Sequence, residues 1–374
     1  MGQSIQANQI IKHLYIHFPY CLKKCGYCSF YSVPYNFESV EEYAGHLMME
    51  LERFNQLYSI VPETIYFGGG TPSLLSPDLL QVMINLFPKP SKQEITIEVN
   101  PSTITQEYLW KLKETDVNRI SMGVQSFNDD VLTFLGRTHT SEVVREAYKL
   151  LRKTNYNNIS LDLIYGTPGQ NLDDVAKDVE EMIRLNPEHI STYCLSLEDD
   201  VPLATEIGNI GTDEDVHEMY YLISRMLRKN GYKHYEISNF AKSRLESKHN
   251  TAYWRLADYL GAGASASGLV GNIHYMNPPD IQEYFKVVVK GQQFPGREIL
   301  SKKALQSEFI IMSLRTAQGI KLRDFYELFG HDFEKIYSQQ LRKMDKYLTK
   351  NNGRIKLKRG FWFVSNSILE EFVE

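Results

Sequence analysis

This sequence has few cysteines, a small net charge and no long apolar run, and each of these features excludes a class of protein. Four cysteines in 374 residues are too few for a disulfide-bonded scaffold. A net charge of -5 gives no general attraction to nucleic acid or to an anionic membrane. The N-terminus lacks a signal-peptide pattern, and no run of about 18 apolar residues occurs. We therefore expect a cytoplasmic protein with no nucleic acid partner and at most peripheral membrane association.

Short β-branched and aromatic segments alternate with helical segments along the first 200 residues. Six of the former are predicted to be buried strands: 13–18, 63–69, 94–100, 119–124, 159–166 and 189–197. In the segments 40–57 and 140–155, apolar residues return every three or four positions, as in amphipathic helices. This alternation is typical of an α/β fold with a parallel sheet, open or closed into a partial barrel. Such sheets bind ligands at the carboxyl ends of their strands.

The rest of the chain follows a weaker pattern, which predicts two further units. Residues 201–300 contain a predicted helix over 213–232 and a predicted strand over 234–240. Residues 301–374 contain predicted helices over 302–320, 322–330 and 333–349 and a closing hairpin over 354–366. Helices followed by a hairpin resemble a winged-helix domain, a shape that serves protein contacts as well as DNA binding. We therefore divide the chain into a core over 1–200, an extension over 201–300 and a small C-terminal domain over 301–374.

Three of the four cysteines are concentrated in eight residues. Cys21, Cys25 and Cys28 form a CxxxCxxC pattern directly after the first predicted strand, whereas Cys194 stands alone inside a later strand as a predicted buried residue. Structural zinc sites and ferredoxin clusters both use four protein ligands, and no fourth ligand lies nearby. Three thiolates on one loop imply a cubane cluster with one iron left open to another ligand.

CxxxCxxC after a first strand resembles the radical S-adenosylmethionine (SAM) superfamily. The resemblance implies a [4Fe-4S] cluster that binds SAM at its open iron, and an electron donor that reduces the cluster. Gly68, Gly69 and Gly70 follow the second strand, where the superfamily holds the amino group of SAM. Glycine at this position lets backbone groups approach a ligand that side chains would block.

More specific segments resemble the oxygen-independent coproporphyrinogen III oxidase family over nearly the whole chain. They are YIHFPYC, YFGGGTPS, EVNPST, RISMGVQSF, LGRTH and DLIYGTPGQ. The resemblance implies a partial (β/α)6 TIM-like radical SAM barrel over 1–200. It also implies SAM contacts at Tyr15, Tyr27, Gly69, Gly70, Thr71, Glu98, Gln125, Arg137 and Asp162, and a second nucleotide site at Ser196.

Two features favour a haem-chaperone branch of this family over the oxidase itself. The decarboxylating enzymes have CxxxCxxCxC, whereas Phe30 occupies the position of the last cysteine here. Residues 249–254 form HNxxYW, which resembles the haem-binding pattern of the chaperone branch. The resemblance implies that His249 contacts haem, since neutral imidazole is a common ligand of haem iron. Tyr253 and Trp254 either stack on the porphyrin edge or belong to the core.

These features support two hypotheses from different classes. The first is a haem-binding protein without oxidase activity that delivers haem to acceptor proteins. The alternative is an enzyme that decarboxylates porphyrinogen propionates oxidatively with a 5'-deoxyadenosyl radical. The same SAM residues serve both hypotheses. A radical SAM modifier of another substrate, such as RNA, would need a substrate motif that the sequence does not contain.

Overall fold

A computed structural model describes residues 10–198, 201–206, 213–294 and 296–373. Its main sheet contains nine strands, in the order β9-β1-β2-β3-β4-β5-β6-β8-β7. These strands are β1 Ile10–Phe18, β2 Ser59–Gly69, β3 Glu94–Val99, β4 Arg119–Gln125, β5 Ile159–Tyr165, β6 His189–Cys194, β7 Lys233–Glu236, β8 Asn239–Ala241 and β9 Leu260–Ala262. The strands β1 to β6 are parallel and adjacent in chain order. All six predicted strands and the α/β class are confirmed.

Helices connect the successive parallel strands, and further helices lie in the extension and the C-terminal unit. They are α1 Phe37–Leu57, α2 Pro77–Ile84, α3 Gln106–Lys113, α4 Asp129–Phe134, α5 Ser141–Lys153, α6 Leu172–Leu185, α7 Pro202–Glu206, α8 Asp213–Lys229, α9 Lys248–Trp254, α10 Ile281–Lys290, α11 Lys302–Leu314, α12 Leu322–Phe329, α13 Phe333–Ile336, α14 Ser338–Lys343 and α15 Ser365–Leu369. Local chemistry sets their ends: α6, for example, begins with a capping box between Asn171 and Asp174. Within the described ranges, no helix is long and apolar enough to cross a membrane.

The faces of the sheet differ in polarity. Along β3, Ile95 and Ile97 are fully buried among apolar residues, whereas Glu94, Thr96 and Glu98 lie on the opposite face. The neighbouring strands continue this polar face. The parallel strands therefore enclose a polar interior, and their apolar outer face packs under the helices.

The two ends of the sheet are built by the extension. At one end β9 runs parallel to β1. At the other end β8 runs antiparallel to β6, and β7 runs antiparallel to β8. The sequence predicted one strand over 234–240, but the chain reverses there because the Glu236 carboxylate accepts the backbone N–H of Ser238 and the side-chain amide of Asn239. No ladder joins β9 to β7 in the described part of the chain, so the barrel is partial, as predicted.

Two small antiparallel sheets complete the structure. One consists of β10 Ser267–Val270, β11 Ile273–Met276 and β12 Glu298–Ile299. The other lies in the C-terminal unit and consists of β13 Ile320–Lys321, β14 Leu348–Asn351 and β15 Arg354–Leu357.

The predicted hairpin over 354–366 is wrong in its bounds. The chain turns at Asn352 and Gly353, which have φ angles of 49° and 68°, so the hairpin joins β14 to β15. This is the Asn-Gly signal of a tight hairpin turn. The residues after β15 form a short 3-10 helix over Arg359–Phe361 and then α15. The predicted helix over 333–349 accordingly ends at Lys343. The domain boundaries at 200 and 300 stay predictions.

Candidate functional site

The three clustered cysteines lie on a loop at the carboxyl end of β1. The segment Tyr20–Cys21 pairs in parallel with Val33–Pro34, so the loop returns beside its own start. The residue after β2 also holds it, because the Gly70 N–H donates to the Phe18 carbonyl at 2.7 Å. Backbone hydrogen bonds thus fix both ends of the loop.

The thiols of this loop have polar neighbours. Arg137 Nη1 lies 3.4 Å from Cys25 Sγ, and Thr71 Oγ1 lies 3.5 Å from Cys21 Sγ. Burial raises the pKa of the Cys21 and Cys28 thiols, and the neighbouring thiols raise both further. All three cysteines are half-buried. The three thiols are therefore close enough to influence one another on a half-buried loop.

The chemistry of this donor set fits a cluster better than a single ion. Among the described residues, no group of three His, Cys, Asp or Glu side chains is arranged to hold one metal ion. A cubane is larger than an ion, and its three thiolates stand correspondingly farther apart. Thiolates are the ligands that iron–sulfur clusters use.

Gly69 at the end of β2 and Gly70 directly after it are required by close packing. A Cβ on Gly69 would lie 2.6 Å from the His17 ring, and Gly69 has a φ of 113°. A Cβ on Gly70 would lie 2.7 Å from the Tyr20 carbonyl oxygen and 3.0 Å from Cys21 Sγ. We expected these glycines to make room for a ligand. In the structure they also bring β2 close to the cysteine loop.

Glu98 ends β3 beside this loop. Its carboxylate accepts the Tyr66 hydroxyl at 2.8 Å and the Gly69 N–H at 3.1 Å. Burial raises the pKa of Glu98 to about 7 despite these bonds. The Tyr15 ring stacks on Tyr66, with ring centroids 6.1 Å apart. The structure thus brings together Tyr15, Gly69 and Glu98, and a cationic ligand group would restore the charge that burial opposes on Glu98.

Gln125 and Arg137 meet at the end of β4. Gln125 has a φ of 71°, an unusual conformation for a non-glycine residue that is common at functional sites. Arg137 Nη2 donates to the Gly123 carbonyl at 2.9 Å. Tyr27 lies against the same guanidinium, where the two side chains interact. Arg137 therefore links the end of β4 and Tyr27 to the Cys25 thiol.

Asp162 lies on β5 and continues the polar interior. Its carboxylate accepts the Ser121 and Ser160 hydroxyls, each at 3.3 Å, and burial raises its pKa. Ser196 follows β6 and is exposed. No hydrogen bond between described residues joins Ser196 to this group, so its role at a second nucleotide site stays a prediction.

The HNxxYW segment occupies α9, which packs against the amino end of β3. The Glu94 carboxylate accepts the backbone N–H groups of Lys248 and His249 at 3.0 and 3.2 Å. The Ser247 hydroxyl caps the same helix at Asn250. Carboxylate and hydroxyl satisfy donors that a helix N-terminus leaves unpaired. These bonds fix the position of the segment.

His249 is inside the protein rather than at a surface. It is 1% exposed and both ring nitrogens are engaged, Nδ1 with Thr64 Oγ1 and Nε2 with Tyr253 Oη, each at 2.7 Å. Its ring stacks on Tyr66, with centroids 5.0 Å apart. Burial lowers the pKa of His249 well below its usual value. His249 is therefore a neutral residue that holds Tyr253, with both ring nitrogens engaged in this conformation. Its direct contact with haem stays a prediction.

Three other residues of α9 line a cavity of about 830 Å³ between the two ends of the main sheet. Asn250, Tyr253 and Trp254 form one side of the cavity, which we call the lateral cavity. Further walls come from the β6–β8 end of the sheet, from β10 and β11, and from α11. The volume lies in the range of roughly 300–1,000 Å³ typical of small-molecule sites. Through Tyr253, His249 and Tyr66, contacts continue from this cavity to Glu98.

Sequence reasoning missed several residues of this arrangement. Thr64 and Tyr66 lie two positions apart on β2 and so share its polar face, a signal that strand periodicity contains. His274 and Arg315 line the lateral cavity but lie in no recognisable pattern. Cys194 was predicted to be buried but is exposed, because β6 is buried only through its first four residues.

Family models match two parts of the chain. Residues 15–182 match the radical SAM superfamily, and residues 300–364 match the HemN C-terminal domain. The first match contains the cysteine loop and Glu98, and the second lies in the C-terminal unit. Together they agree with the fold that the strands and helices form.

Similar proteins match almost the full length. The haem chaperone HemW of Lactococcus lactis is 34% identical, with 96% of each chain covered. HemW of Bacillus subtilis is 34% identical, with 89% of this chain and 91% of the relative covered. Among solved structures, coproporphyrinogen III oxidase (HemN) from Escherichia coli has a TM-score of 0.85 at 21% identity, with 98% of this chain and 91% of that chain covered. At that identity, the likeness to HemN shows the fold alone.

Proposed function

Because this chain belongs to the HemW family of haem chaperones within the radical SAM superfamily, we propose that it binds haem and delivers it to acceptor proteins. The observation that carries the proposal is the position of the HNxxYW helix, which lines the lateral cavity with Asn250, Tyr253 and Trp254. A cavity with aromatic walls and a few polar groups suits a flat, amphipathic macrocycle.

A [4Fe-4S] cluster and SAM are part of this proposal. Cys21, Cys25 and Cys28 would hold the cluster, with Arg137 and Thr71 as neighbours of two of the thiols. When bound, a reduced cluster supplies one electron for cleavage of the SAM sulfonium. An external electron donor is therefore part of the proposal. Lys23 and Lys24 on the same loop are exposed and would suit an acidic donor protein.

The residues assigned to SAM act through charge and shape. The Glu98 carboxylate and the Gly69 backbone would position the SAM ammonium group, and the Arg137 guanidinium would pair with its carboxylate. Tyr15, Tyr27, Gly70, Gln125 and Asp162 surround these groups. Since contacts continue from Glu98 through Tyr66 and His249 to Tyr253, occupancy of the SAM site would be coupled to the lateral cavity.

The test combines haem transfer with an oxidase assay. Haem-loaded protein is mixed with a haem-free b-type cytochrome, and the acceptor spectrum is followed. In parallel, reconstituted protein is incubated anaerobically with reductant, SAM and coproporphyrinogen III. We expect transfer and no decarboxylated product. Formation of a vinyl-bearing product without transfer would replace the chaperone proposal with the oxidase alternative.

A further inference from the structure

The lateral cavity contains a second histidine that no sequence pattern identifies. His274 lies on β11 and its side chain is 36% exposed at the cavity wall. Its Nε2 lies 3.4 Å from Glu308 Oε1, on the facing helix α11. Metal-binding histidines commonly have one ring nitrogen oriented by a carboxylate in this way. In the described residues His274 Nδ1 has no hydrogen-bond partner, so this imidazole is available where that of His249 is not.

One corner of the same cavity contains polar groups that have no hydrogen-bond partner among the described residues. Trp254 Nε1 and Arg315 Nε are buried donors without a hydrogen-bond partner among the described residues. The Arg315 guanidinium carbon lies 5.9 Å from the Trp254 ring centroid, so the two donors belong to one corner. Unpaired buried donors are rare and costly in folded proteins. A carboxylate bound in this corner would satisfy both.

Asn239, which also lines the cavity, supports the same interpretation. It is 4% exposed, and its Oδ1 is a buried acceptor without a partner, while its amide donates to Glu236. A water molecule held on a bound carboxylate would donate to Oδ1. Glu236 opposes an anion, but burial raises its pKa to about 7, which reduces its charge at neutral pH.

We propose that the lateral cavity is the haem site, with His274 as the ligand of the iron and the Trp254–Arg315 corner as the site of a propionate. This inference rests on the proposed haem-binding function and adds the residues that hold the molecule. His249 then has a positioning role, because it holds Tyr253 at the cavity wall through the bond to Nε2. Glu308 orients the His274 ring from behind.

Two ligand probes separate the iron from the propionates. Protoporphyrin IX has the propionates but no iron, and haemin dimethyl ester has the iron but no free carboxylate. We expect His274→Ala to lower haemin affinity about tenfold and to change the Soret spectrum, while protoporphyrin IX affinity changes less than about twofold. We expect Arg315→Gln to lower the affinity for haemin and for protoporphyrin IX about tenfold each. Affinity for the dimethyl ester should not respond to Arg315→Gln.

Controls are available in the full-length chain. His331→Ala removes an exposed histidine outside the cavity and should leave haemin affinity and spectrum unchanged. His274→Gly with added imidazole should recover the wild-type spectrum, which a loss of folding would prevent. SAM affinity, measured for each variant, reports on the integrity of the barrel.

The possible failures are distinguishable. If wild type binds haemin and all cavity variants bind it equally well with the same spectrum, the assignment of the site is wrong. The chaperone proposal would then remain intact. Loss of the His-ligated spectrum in His249→Ala but not in His274→Ala would overturn the assignment of the ligand. Absence of haemin binding by wild type would overturn the chaperone proposal and the site together.

Discussion

Replacing Glu98 with glutamine tests the electrostatics of the proposed SAM site. Burial raises the pKa of Glu98 from 4.5 to about 7. Because the pKa of Glu98 is higher in the folded state, the folded state binds more protons than the unfolded state between pH 4.5 and 7. Stability is therefore lost as pH rises through that window. At 1.36 kcal/mol per pH unit, the cost reaches about 3 kcal/mol at pH 8 and is about 1 kcal/mol at pH 5.

Glu98→Gln removes this cost but also removes the acceptor of the Gly69 N–H, worth about 1 kcal/mol. We therefore expect the variant to unfold like wild type at pH 5 and to be about 2 kcal/mol more stable at pH 8. Urea unfolding of the cofactor-free protein at both pH values measures this. A stability difference that does not change with pH would refute the reasoning.

The same variant should bind SAM at least about tenfold more weakly at pH 8, because the amide cannot pair with the ligand ammonium. Glu50→Gln is the matched control. Glu50 is a buried carboxylate with a raised pKa, held by Gly263, Asn277 and Tyr284, outside the polar interior of the barrel. Replacing Glu50 should change how the stability of the protein depends on pH but should leave SAM affinity unchanged. Equal loss of SAM affinity in both variants would remove Glu98 from the site.

Three further predictions concern the cluster and the buried histidines. Reconstituted protein should hold about four irons per chain, and Cys21→Ser, Cys25→Ser and Cys28→Ser should each lose most of the iron, whereas Cys194→Ser should retain it. Gly70→Ala should impair reconstitution of the cluster, because the new Cβ would contact the Tyr20 carbonyl and Cys21 Sγ. Gly45→Ala should not impair it, because no atom lies within 4 Å of a Cβ at that position. Equal iron contents in the two variants would contradict the packing argument. Thr64→Val should destabilise the protein by about 2 kcal/mol in thermal unfolding, because Thr64 Oγ1 serves both His13 and His249. Thr64→Ser retains the hydroxyl and should recover most of that loss.

Much of the fold could be predicted because local patterns and tertiary structure agree there. The six parallel strands are short β-branched and aromatic segments between amphipathic helical ones, and this alternation predicts strands even though one face of the sheet has polar side chains. The predicted hairpin of the C-terminal unit began at Arg354 and included residues 361–363, whereas Arg354 starts the second strand of the actual hairpin. The deciding signal was the turn at Asn352 and Gly353, where both residues have positive φ.

The candidate site was predictable where residues follow strand ends and unpredictable where distant segments meet. Glu98, Gln125 and Asp162 come directly from consecutive strands, so chain order locates them. The pairing of His249 with Thr64 joins residues 185 positions apart, and the Trp254–Arg315 corner joins α9 to the end of α11. No local pattern encodes such contacts. The burial of His249 was unpredictable for this reason, since it depends on a strand far away in sequence.

An equilibrium titration of the purified chain with haemin tests the central proposal most directly. The account predicts saturable binding of one haem per chain, with a Soret band shifted from that of free haemin. No saturable binding, or binding without a change in the Soret band, would contradict it.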